Sequence, residues 1–364
     1  MSQNLVKNDS IIFVEKAIKR IKKDINFAVV PGPVFGTTEK LGFAVLPMVV
    51  YNLKKSDTLS PPSSSALLLY FDLHGSWATA IKQSLYWNEN KWRAFGTIGI
   101  GDFQLRYFGI GRDTVIINNN KANFVWIHQQ QFMFSGLIFR KIYKGFYGGF
   151  ELSYSISNLV GTDSISNSIL YATNPSAGKL IQTVLVPSFV WDNRDNIFWS
   201  TKGYYANLTL QFSNKFLFFS KDYSVITGQV NGYHCLLPQS KRLTLAWTFF
   251  FQAGWGNLPY RIYANYGVAD NAKGYTAGKY VDYSETTVQT EFRYDLWKFI
   301  AISGYVGTGK VFPSYDVFGQ SVWLHFTGMR FYVNIIPYRN IRLKLDFTKG
   351  RKDYGIYVGI GQGF

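Results

Sequence analysis

Residues 340–348, NIRLKLDFT, set Ile341, Leu343, Leu345 and Phe347 on one parity and Arg342, Lys344, Asp346 and Thr348 on the other. Alternation with a period of two is the signature of a β-strand that meets an apolar medium on one face and a polar one on the other. The pattern returns in TVQTEFRYDL (287–296), RLTLAWTFFFQ (242–252) and YYANLTLQF (204–212). In the second of these Leu243, Leu245, Trp247, Phe249 and Phe251 oppose Thr244, Ala246, Thr248 and Gln252. In a soluble β-sandwich the polar face would meet water and the apolar face a shared core. In a membrane barrel the apolar face meets lipid and the polar face lines a wet lumen. No helical periodicity is evident after residue 26, and strands of about 9–14 residues suit a tilted crossing of the hydrocarbon layer. The pattern therefore predicts an all-β, 16-stranded antiparallel transmembrane β-barrel over 26–364, preceded by a short N-terminal amphipathic helix.

The strands predicted are 26–34, 41–52, 64–73, 77–88, 92–107, 122–139, 145–157, 179–191, 203–213, 222–233, 241–254, 283–295, 299–310, 322–334, 340–348 and 353–364. An even number lets a single-chain barrel close. With both ends of the sheet in the periplasm, the long connections 108–121, 158–178 and 257–282 fall outside. The short links RKIYK (140–144), LWK (296–298) and IPYR (336–339) fall inside.

The sequence stops on YGIYVGIGQGF (354–364), which reads as a strand running to the last residue with glycines on its lumen face. Pro31 and Pro33 lie in the first strand, where a missing amide donor is tolerated at an edge or weakly paired seam. First and last strands meet at that seam, so both partners there are poor strand formers. Pro47, in the second strand, predicts a bulge.

Composition agrees with this reading and narrows the function. Aromatic residues make up 18% of the 364 residues, yet mean hydropathy is only −0.04, as when apolar and polar residues cancel. The net charge of +16 is spread along the chain, which suits acidic lipid headgroups better than nucleic acid. The single cysteine, Cys235, rules out an internal disulfide. Residues 1–25 differ from the rest. After Asp9 or Ser10 as N-cap, Ile11, Val14, Ile18, Ile21 and Ile25 oppose Lys16, Lys19, Arg20, Lys22 and Lys23. Such a helix suits the membrane surface, the barrel mouth, or docking on its own protein. No signal peptide is visible. The strands imply that an export signal has been removed and that the location is the bacterial outer membrane.

Nothing in the pattern points to an enzyme, a metal or a cofactor. The four histidines, His74, His128, His234 and His325, are dispersed. GYVGTGK (304–310) has phosphate-loop spacing but sits within a strand and lacks a following helix.

Three stretches carry a family resemblance: VPSFVWDNRDNIFWSTKGYYANL (186–208), NAKGYTAGKYVDYSETTVQTEFRYDL (271–296) and GIYVGIGQGF (355–364). They resemble the barrel domain of BamA/TamA-type outer-membrane assembly factors, also called the bacterial surface antigen barrel. The resemblance covers about residues 26–364. It implies that Asp192, Arg194, Asp195 and Gly203 form a periplasmic turn motif. It implies that Lys273, Gly274 and Tyr275 are the motif of a sixth extracellular loop, 257–282, folded into the lumen. Glu291 and Arg293 are then its lumenal partners, with a Lys273–Glu291 contact expected. Pro31, Pro33, Gly359, Gly361 and Phe364 become the seam and terminal strand signal. Two departures from the family pattern imply a weaker or rearranged anchor. Lysine replaces the usual loop arginine at 273 and loses its planar fork, and Gly307 stands where a lumenal aspartate is usual. With only the basic helix before the barrel, the chain resembles the branch without POTRA receptor domains. The function implied is insertion or transport of protein or lipid, with outer-membrane lipid, client barrel proteins or a periplasmic partner as associates. A passive or gated pore, or a barrel that holds a partner, are the alternatives.

Overall fold

The computed structural model describes residues 25–34, 42–111, 113–114, 124–214, 221–240, 242–267, 272–337, 340–351 and 353–364. The basic helix expected over 1–25 falls outside these, except that Ile25 opens the first strand.

Sixteen strands form one antiparallel sheet in which each pairs with the next along the chain. They are β1 (Ile25–Val34), β2 (Gly42–Tyr51), β3 (Ser63–Asp72), β4 (Trp77–Trp87), β5 (Trp92–Tyr107) and β6 (Val125–Tyr143). Then come β7 (Phe146–Gly161), β8 (Gly178–Asp192), β9 (Gly203–Ser213), β10 (Tyr223–Cys235) and β11 (Leu243–Gly256). The last are β12 (Ser284–Asp295), β13 (Ile300–Phe312), β14 (Leu324–Ile336), β15 (Ile341–Lys349) and β16 (Tyr354–Ile360). The sheet curls until β1 and β16 touch. Among the described residues no hydrogen-bonded ladder joins these two.

The alternating faces sort as a barrel requires. Phe27, Ile81, Ile98, Phe150, Val306 and Met329 point outward and are exposed. The opposite parity places Thr248, Thr287, Gln289, Glu291, Arg330 and Asp346 inside. Aromatic pairs collect where strands end in short turns. Trp87 stacks on Trp92 at 6.2 Å, Phe146 on Phe189 at 6.3 Å and Trp191 on Tyr204 at 6.3 Å. Their amphipathic rings form an interfacial girdle of the kind expected at a membrane surface.

Four expectations need correction. A helix, α1 (Ser164–Thr173), interrupts the all-β pattern between β7 and β8, with Asp163 as N-cap accepting from the Ser166 amide. Its Leu170 is buried among Tyr107, Ile127 and Leu159 on the inner wall, so packing rather than intrinsic propensity holds it. The final strand stops at Ile360 instead of running to Phe364, because Gly361 turns the chain at φ +99°. Pro47 makes no bulge: the β2–β3 register is the same on both sides of it, and pairing merely lapses at residues 46–47. The short link expected over 140–144 is largely strand, because β6 (19 residues) runs on to Tyr143, while β7 (16 residues) continues to Gly161 past its expected end at 157; β16 has only 7.

Candidate functional site

The described parts of the connection 257–282, residues 257–267 and 272–282, lie against the inner wall at the end of the barrel that carries the long loops. Leu258, Tyr263 and Val281 pack on Val184, Val186, Tyr223 and Val225 of β8 and β10. Tyr260 meets Tyr107 of β5 edge-on at 5.4 Å, and Tyr266 donates to the Leu324 carbonyl at 2.7 Å. These rings bury apolar area against opposite sides of the lumen, so the segment is a packed part of the interior. Within it, the Lys273-Gly274-Tyr275 triplet docks where β14, β15 and β16 reach their loop ends. Tyr275 donates to the His325 carbonyl at 2.6 Å. The Gly274 amide donates to Tyr357 at 3.3 Å.

Lys273 Nζ pairs with Asp346 Oδ2 at 3.2 Å, which corrects the expected Lys273–Glu291 contact. Asp346 also accepts from Arg330 Nε at 2.8 Å, and the other arm of Arg330 reaches Glu291 Oε2 at 3.0 Å. Arg293 joins Glu291 at 3.2 Å, and Tyr332 donates to its other oxygen at 2.7 Å. Tyr305 hydrogen-bonds both Asp346 and Thr348, and Arg330 lies 3.9 Å over its ring. The result is a buried chain, Lys273–Asp346–Arg330–Glu291–Arg293, that crosses β15, β14 and β12. Buried charges persist only when fully paired, and here each carboxylate is shared by two cations. Asp346 is thus the carboxylate that meets the loop lysine. Its position on the polar face of NIRLKLDFT was the available signal, but alternation cannot say which inner carboxylate meets the loop.

The terminal tail closes this chain of charges. Gln362 Oε1 accepts from the Ser200 amide at 3.0 Å and from Arg293 at 3.2 Å, while Lys344 donates to the Gln362 carbonyl. The Phe364 ring stacks on Tyr233 at 6.3 Å, and Tyr233 donates to the Phe364 carbonyl at 2.8 Å. Gly363 passes so close to Arg330 and Glu291 that an added Cβ would lie 2.1 Å from the guanidinium. A side chain at 363 would have to displace that buried ion pair.

At the opposite end, Asp192, Arg194, Asp195 and Gly203 shape the β8–β9 connection. Asp192 binds Arg194 at 2.8 Å and Arg93 of β5 at 3.0 Å. Burial works against the charged Arg194, but the Asp192 carboxylate more than offsets it and holds the guanidinium above its usual range. Asp195 accepts from Thr201 and Lys202, closing the turn. Gly203 has φ +99° and stands where a Cβ would lie 2.5 Å from the Asn193 carbonyl. Arg93, with Tyr147 stacked 3.9 Å from it, is a partner that sequence reasoning missed, being 99 residues from Asp192.

Pro31 and Pro33 occupy β1 opposite Val45 and Phe43 of β2, and Gly359 faces Lys344 on the other side of the seam. Gly361 and Phe364 lie beyond the last strand. Among the described residues no cluster of His, Cys, Asp and Glu is arranged to hold a metal, and no helix is long and apolar enough to cross a membrane.

A barrel of sixteen strands with a loop packed inside and an unladdered seam invites comparison with known proteins. The Omp85 superfamily domain matches residues 79–348. The chain belongs to the Omp85 superfamily. Two solved Omp85-like structures share its fold. BamA from Haemophilus ducreyi lacking POTRA domains 1-3 superposes with a TM-score of 0.59 at 12% identity, over 92% of this chain and 70% of that one. CdiB from Acinetobacter baumannii does so with a TM-score of 0.54 at 12% identity, over 93% of this chain and 60% of that one. No curated protein sequence matches the chain.

Proposed function

We propose that this Omp85 barrel sits in the bacterial outer membrane and helps a client protein or lipid insert into or cross it at the β1–β16 seam. The observation that carries the reading is the seam itself: two neighbouring strands without a ladder, one only 7 residues long. Unsatisfied backbone groups in hydrocarbon cost several kcal/mol each. An edge of this kind therefore gains by accepting a strand from another chain. The buried tail and the Lys273-Gly274-Tyr275 contact bear on the same seam, because both hold the β15–β16 side of it to the far wall. With short turns in the periplasm, the Asp192 motif faces that compartment and the 257–282 loop enters from outside.

Locking the seam tests the proposal. Ala28 and Ile360 pack against one hydrophobic cluster across it. Cysteines at both positions, in a Cys235→Ser background, can be joined by a short bis-maleimide. The locked protein is expected to lose its ability to restore the outer-membrane protein profile of depleted cells, while the unreacted double variant retains it. Full rescue by the locked form would end the seam reading. A large, steady planar-bilayer current from the native protein would favour a passive pore instead.

A further inference from the structure

The outer wall carries a groove of about 1040 Å³ over β12–β15, near the long-loop end. Strand register shows how it is built. Thr290, Val306, Thr327 and Lys349 form one row across the four strands. One step towards the membrane centre, Phe292, Gly304, Met329 and Phe347 form the next. Gly304 points outward with no atom within 4 Å of where its Cβ would be, so the second row has a gap between Phe292 and Met329, both more than half exposed. Above the first row, His325 and the exposed Arg351 complete the rim, with Trp323 beside them. Among the described residues no carboxylate pairs with Lys349 or Arg351.

The chemistry changes with depth. The groove itself is lined by Val288, Val306 and Trp323 with Lys349, Arg351 and His325 at its rim; towards the membrane centre it is continued by the neighbouring row of Phe292, Met329 and Phe347. A slot that is greasy below and cationic above matches a molecule with an acyl chain and an anionic head. We infer that this groove is a binding site for a phosphate-bearing lipid of the surrounding leaflet, its acyl chain in the Gly304 gap and its phosphate between Lys349 and Arg351. The rim is not a loose surface. The Arg351 amide donates to Tyr275 at 3.3 Å, and the same hydroxyl donates to the His325 carbonyl. Gly274 packs directly on Thr348 and Gly350. The lumenal loop thus sets the spacing of the lipid-facing cations, whether or not the seam opens.

The test uses the full-length protein in phosphatidylcholine vesicles containing a minor fraction of dibrominated lipid, with tryptophan quenching as the signal. Brominated phosphatidylglycerol is expected to quench more strongly than brominated phosphatidylcholine. Two rim charges, at about 1 kcal/mol each, correspond to a preference of about 30-fold. Lys349→Ala with Arg351→Ala should abolish the difference, and Trp323→Phe should remove most of the quenched signal. Lys141→Ala with Lys144→Ala, at the opposite end, should leave both unchanged. Heat-modifiable gel mobility confirms folding, and Lys349→Gln with Arg351→Gln replaces the alanine pair if that variant fails to fold. Equal quenching by the two lipids overturns the site. So does equal loss in the Lys141/Lys144 control, or complete competition by inorganic phosphate, which would make the rim a plain anion site.

Discussion

Arg330 donates to Glu291 and Asp346 at once, and all three side chains are 0% exposed. Removing one member strands the others, at about 3–5 kcal/mol when a buried pair is broken. Asp346→Ala should lower the unfolding free energy obtained from urea titration by an amount in that range and release Lys273, so that protease cuts 257–282 sooner. Lys273→Ala should expose the same loop with less loss of global stability, since Arg330 still neutralises Asp346. Titration adds a second case. Asp57, in the connection between β2 and β3, is held at about 2, first by the Ser60 hydroxyl, which burial opposes, and then by the amides of Ser60, Glu89 and Leu59. Its pKa lies below the ordinary carboxylate value of about 3.9. The stabilisation is therefore complete above about pH 4 and is lost as pH falls through about 2. A carboxyl-carbon NMR titration should show that midpoint, and Asp57→Asn should free the Glu89 turn at every pH. Sequence placed Glu291 and Asp346 on the polar faces of their strands but paired Lys273 with the wrong carboxylate. Arg330 and Asp346 are direct cross-strand partners, and register between strands is not written in either strand alone.

At the scale of elements, most strands could be read because each crosses between two media and must alternate. That constraint is absent from α1, whose SISNSILYAT carries little helix propensity; its Asp163 cap was the one local sign. It is also absent after Ile360. The alternation in YGIYVGIGQGF continues on paper, but glycine at 361 permits a turn that alternation cannot register. The long connection 257–282 was legible through its family-like triplet, whereas its tyrosine contacts with β5 and β14 were not. Removing residues 259–279 and joining the ends with glycine and serine should leave the barrel folded and convert small, flickering bilayer events into a larger steady conductance. An unchanged current would mean that the loop does not limit passage.

At the scale of the molecule, the ring of exposed Phe, Ile, Leu and Val exceeds what a soluble surface sustains. The purified protein should stay monodisperse in detergent and aggregate on its dilution, as followed by light scattering. The match to BamA and CdiB at 12% identity shows how little of this architecture depends on particular side chains, beyond the face each one takes. Cys235 ends β10 with the same inward parity as Tyr233, the ring that carries Phe364. A fluorophore on that sole thiol would sit one pleat below the resting place of the tail. Its emission would brighten or dim as the tail left, so the molecule supplies its own gauge of when its last four residues let go.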